Sequence, residues 1–280
     1  MSPILLDVLG ETLQITLFIM AMMIIVDAVN IWSRGKISVL LKGKHKSRQY
    51  VIASFIGTIP GCLGGFTDVT LYMHGLISFG ALAGSMIASS GDEAFVMLAM
   101  FPETALLLFS ILFVTGIIGG IATDYIAKKF NMVTCTDCPE LVVHDTERNL
   151  KHFLTEHVYH HIIKKHIWRI ALWTFGALLV VQVGFQYLHI EEISTGYKLL
   201  LLFLGALIGL IPESGPHLIF VTLFASGVIP FSVLLTSSMV QDGHGMLPLL
   251  SYSVKDSIKI KAFNFVFGIT LGLILFAFGL

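Results

Sequence analysis

The sequence predicts an all-α integral membrane protein of about ten hydrophobic segments, arranged as two inverted repeats with broken or re-entrant helices. Three observations predict it. The chain is too apolar for water, it carries an internal repeat, and its basic residues are unevenly placed. Hydrophobic residues make up 55% of the sequence and charged residues only 12%, with mean hydropathy +0.86. Soluble domains carry about 25% charged residues. The formal net charge of -1 leaves no electrostatic footprint for nucleic acid.

The elements follow in order. Apolar segments run over roughly 10–33, 50–64, 67–90, 93–102 and 104–127, then roughly 168–188, 198–212, 216–240, 245–254 and 262–280. Several are too short to cross a bilayer alone. The short ones lie beside Gly/Pro clusters, as in the interrupted helices of transporters. The first segment has no basic residues before it and no small-residue cleavage site, so it reads as a retained helix rather than a signal peptide. Three cysteines are too few for a disulfide scaffold and fit a reducing compartment. The expected divisions are a first membrane repeat over 1–130, a Cys/His-rich loop with an amphipathic helix over 131–166, and a second membrane repeat over 167–280.

A shift of 152 residues aligns the two halves without a gap. Ile56, Gly57, Ile59 and Pro60 fall on Ile208, Gly209, Ile211 and Pro212. Val69, Thr70 and Leu71 fall on Val221, Thr222 and Leu223. Gly75, Phe79, Leu82, Ser85, Gly91 and Leu98 fall on Gly227, Phe231, Leu234, Ser237, Gly243 and Leu250. The loop with Arg34, Lys36, Lys42, Lys44, Lys46 and Arg48 reads as cytoplasmic by the positive-inside rule. Its counterpart holds Glu191 and Glu192 and reads as external. Glu103 is likewise matched by a region with Lys255, Lys259 and Lys261. The charge bias inverts at matched positions, which predicts halves of opposite orientation. Both termini are then external and the central loop cytoplasmic, in the inner membrane of the cell.

Ionisable residues inside such a chain are informative. One at mid-bilayer costs at least about 2.5–3.5 kcal/mol on insertion scales, so it needs a partner or a role. The breaks between apolar segments hold Asp68, Asp92, Glu93, Glu213, His217, Asp242 and His244, with no Lys or Arg among them. Carboxylates and imidazoles without an internal cation suit a metal ion or protons. Their hardness favours Mn(II), Fe(II), Co(II) or Zn(II) over Cu(I). Asp92 and His244 hold equivalent repeat positions, and Glu213 and His217 are spaced to share a helix face. In the central loop, Cys135 and Cys138 form a CxxC knuckle, and His157 and His161 are spaced i, i+4 on an apolar helical stripe. That pattern fits a cytoplasmic metal-collecting element and equally an amphipathic helix on the membrane surface.

Four stretches carry a family resemblance: Ile59 to Asp68 (IPGCLGGFTD), Ser89 to Ala94 (SSGDEA), Ile211 to His217 (IPESGPH) and Gln241 to Gly245 (QDGHG). With these the chain resembles the ten-helix heavy-metal exporters, bacterial membrane proteins grouped with arsenic-efflux permeases, some labelled manganese transporters. The resemblance implies export of a metal or metalloid. A divalent-metal transporter is the leading expectation. No enzyme activity is expected, nor any cofactor beyond the transported ion. The expected partners are a divalent metal ion and the lipid bilayer, with a homodimer allowed. An arsenite or metalloid permease is the alternative, resting on Cys62. The Ile59-Pro60-Gly61 string is also similar to undecaprenyl-diphosphate phosphatases. Their Ser-Arg-Ser motif is replaced here by Cys62-Leu63-Gly64-Gly65, without the cation that diphosphate chemistry needs.

Overall fold

A computed structural model describes residues 3–32, 47–91, 93–132, 198–213 and 215–279, with the single positions 134, 159, 167, 168, 171, 172, 175, 176 and 179. Every regular element among the described residues is helical. The first half holds α1 (Pro3–Trp32), α2 (Ser47–Gly57), α3 (Leu63–Met73), α4 (Phe79–Ala88), α5 (Glu93–Met100) and α6 (Pro102–Lys129). The second holds α7 (Lys198–Gly209), a 3-10 turn (Gly215–His217) leading into α8 (Leu218–Ala225), and α9 (Phe231–Val240). A second 3-10 turn (Gly243–Met246), α10 (Leu247–Tyr252) and α11 (Val254–Ala277) complete it.

Among the described residues, α6 and α11 are each long and apolar enough to cross a membrane alone. Two expected continuous segments, 67–90 and 216–240, are broken in the middle. The breaks sit at Gly75 and Gly227, with φ of 64° and 71°. That left-handed conformation is open to glycine and costs other residues, so the helix stops there. The last segment also differs from expectation. It begins at Val254 rather than near 262, because the Ser253 hydroxyl accepts from the Asp256 N–H at 3.2 Å and caps the first turn.

The 152-residue shift carries over to the structure. It maps α2 onto α7, α3 onto the first 3-10 turn plus α8, α4 onto α9, and α6 onto α11, with bounds agreeing to a residue wherever a helix begins. Gly91 and Gly243 are equivalent and share positive φ, 58° and 49°. Tyr72–Phe79 and Phe224–Phe231 are equivalent ring pairs, at centroid distances of 6.4 and 6.3 Å. Packing follows the same scheme: α4 lies on α6 and α2, and α9 on α11 and α7, while α4 meets α9 between the halves.

Each half is held by small residues. Gly80 and Gly84 of α4 face Gly116 and Gly120 of α6, so closely that a methyl on Gly84 would sit 3.1 Å from the Gly120 Cα. Small residues spaced by four let helix backbones touch, which is how helices associate where lipid removes the hydrophobic drive. Asp124 ties the pair together, accepting from the Gly80 N–H at 2.7 Å and the Tyr50 hydroxyl at 2.8 Å. The outward face of α6 carries Leu106, Leu107, Val114, Ile118 and Ile121, all exposed. Asp68, Glu93, His217, Asp242, His244 and Asp256 are buried instead. Apolar outside and polar inside is the arrangement lipid imposes.

Candidate metal centre

The breaks of the two halves meet through glycine. Gly65, in the first turn of α3, abuts Gly245 of the second 3-10 turn. A Cβ built on Gly65 would lie 3.0 Å from the Gly245 Cα. This contact sets Cys62 beside His244, with Cys62 Sγ 3.7 Å from His244 Nδ1. Helix α1 packs across the same place. Val8 is buried with Phe66 and Leu247, and Glu11 lies about one turn further along that face.

Three ligand groups converge there. Glu11, Glu213 and His244 offer atoms that all lie within 4.8 Å of one another. His244 Nε2 is 3.3 Å from Glu11 Oε1. Glu213 Oε1 accepts from the Gly215 N–H at 3.1 Å, which fixes its carboxylate at the head of the 3-10 turn. Metal–ligand bonds of about 2.0–2.2 Å bring donor atoms closer than this. The side chains would have to draw in by roughly 1 Å to close on an ion. Carboxylate and imidazole are borderline-to-hard donors, and Cys62 adds a soft one beside the imidazole.

Of the expected membrane ligands, Glu213 and His244 come together. Asp68 is elsewhere, fully buried in the first half, where its Oδ2 accepts from the Ser85 hydroxyl. Glu93 and the Gln241 side chain both crowd Gly91. A methyl on Gly91 would be 3.1 Å from Glu93 Oε2 and 3.2 Å from Gln241 Oε1. His217 is buried with its Nε2 3.4 Å from the Ile211 carbonyl oxygen. Asp92, Cys135, Cys138, His157 and His161 lie outside the described residues.

Asp242 brings a correction. The sequence places no basic side chain among the breaks, yet Lys261 Nζ sits 2.5 Å from Asp242 Oδ2. The reason is the early start of α11, which moves Lys261 from an expected loop edge to the third turn of the helix, where its side chain is only 12% exposed. The Ser253-Val-Lys-Asp256 capping pattern in the sequence could have revealed it. Glu11 was also missed. An acidic residue at the head of the apolar run 10–33 was the available signal.

A profile of the family described as "Putative, 10TM heavy-metal exporter" matches residues 3–189 and 146–278. No curated protein and no solved structure matches.

Proposed function

The chain belongs to this ten-transmembrane heavy-metal exporter family, and on that premise we propose that it exports a divalent transition-metal ion such as Mn(II) through the Glu11–Glu213–His244 centre. The observation that carries the reading is the convergence of those three donors from α1 and two breaks of the second half. Two carboxylates and an imidazole match the charge and hardness of Mn(II), Fe(II), Co(II) or Zn(II). Broken helices at the repeat interface are where transporters hold their cargo. Metal would enter from the cytoplasm, bind where the breaks meet, and leave on the other side as inverted halves rock. Asp92, Glu93 and His217, further acidic and histidine residues of the breaks, would line the route. Cys135, Cys138, His157 and His161 would collect metal at its cytoplasmic mouth.

The test is a metal-sensitivity panel in a bacterial host stripped of its own exporters. Expression should raise resistance to one divalent metal. His244→Ala and Glu11→Gln should each lose it while the protein stays in the membrane. Retained resistance in both variants would rule out this centre. Cys62 favours a second reading, a metalloid permease, because its thiol lies against His244. On that reading Cys62→Ser abolishes arsenite resistance and Glu11→Gln does not.

A further inference from the structure

Asp242 and Lys261 form a unit that the metal reading leaves unused. Lys261 Nζ contacts Asp242 Oδ2 at 2.5 Å and donates to the Gly209 carbonyl oxygen at 3.0 Å. Asn264 Nδ2 donates to the other oxygen, Asp242 Oδ1, at 3.3 Å. The Asp242 side chain is fully buried and that of Lys261 nearly so, at 12% exposure. Gly209 ends α7, so its carbonyl is among those a helix terminus leaves without a partner inside the helix. A carboxylate beside an unwound-helix carbonyl is the oxygen pair that seats an alkali-metal ion in broken-helix carriers. In this chain an ammonium occupies that seat. The pairing also neutralises Asp242.

We propose that Lys261 is a tethered cation, seated on Asp242 and Gly209 in place of a free monovalent coupling ion. The wild-type protein therefore needs no sodium. Removing the ammonium opens the seat to sodium or another alkali-metal ion. The flux arm of the test rests on the export reading, and the stability arm does not.

The stability arm compares thermal unfolding of the purified full-length protein in sodium chloride and in choline chloride at equal ionic strength. Sodium should raise the midpoint of Lys261→Met by about 4 °C over choline. It should leave wild type, Lys261→Arg and the Asp242→Asn/Lys261→Met double variant unmoved. The flux arm measures Mn(II) uptake into proteoliposomes. Wild type should transport equally in both salts. Lys261→Met should lose most of its flux in choline and regain it in sodium. A sodium requirement in wild type, or a Lys261→Met protein indifferent to sodium in both arms, overturns the proposal. So does a Lys261→Met protein that cannot be recovered from sodium-containing membranes, since the alkali ion should replace the ammonium. Absence of any wild-type metal flux would count against the export reading alone, and the unfolding comparison would still decide the role of Lys261.

Discussion

At the scale of single residues, charge placement separates the proposed metal centre from the scaffold. Glu11, Glu213 and His244 face one another, while Asp256 is satisfied by the Tyr72 hydroxyl at 2.7 Å and by Lys259 at 3.1 Å. Losing a ligand and losing a strut should therefore look different. Glu213→Gln is expected to leave the unfolding midpoint nearly unchanged and to weaken metal binding by about 10–100-fold, a loss typical of disturbed metal sites. Titration of purified protein with Mn(II) checks this. Tyr72→Phe should do the reverse, keeping metal affinity and lowering stability by about 1–3 kcal/mol, because it strips a buried carboxylate of a donor. Thermal unfolding in detergent reads that loss. Asp68 belongs with the struts in this comparison, since its partner is Ser85 of a neighbouring helix.

At the scale of elements, the close packing of α4 on α6 leaves no room for side chains. Gly84→Val forces those backbones apart, and overpacking of a tight contact costs about 1–3 kcal/mol. A second, milder change addresses the same helix. Ser78 caps α4, accepting from the Ala81 N–H at 3.1 Å, so Ser78→Ala should cost about 1 kcal/mol. Thermal unfolding of both variants should rank them in that order. The element scale is also where the sequence reading slipped. Periodicity cannot reveal that 67–90 and 216–240 are each broken at a central glycine, because apolar residues continue on both sides. The stop is a backbone event at Gly75 and Gly227, and the tight turn there folds each half-helix onto its neighbour.

At the scale of the whole molecule, the two halves repeat one helical scheme, and the basic loops suggest that they insert in opposite senses. Single cysteines at Lys36 and Glu191, in a background with Cys62, Cys135 and Cys138 replaced, test this. The first should react with an impermeant thiol reagent only from the cytoplasmic side, and the second only from outside. Labelling of both from one side would refute the inverted arrangement. That arrangement matters for function because two breaks approaching from opposite faces can share one site at mid-membrane.

The sequence by itself determined the solvent of this protein, its helical class and the repeat, since each is written in composition and in residues spaced along the chain. It also marked Glu213 and His244, because an ionisable group in an apolar chain is conspicuous wherever it folds. Only the tertiary structure decided which of those groups meet. Glu11 joins the centre through the packing of Val8 on Phe66 and Leu247. Asp242 is drawn away by Lys261. Contacts between residues far apart in the chain depend on where each helix starts and which face it buries. At α11 that start was fixed by one serine cap, and it carried a lysine into the interior.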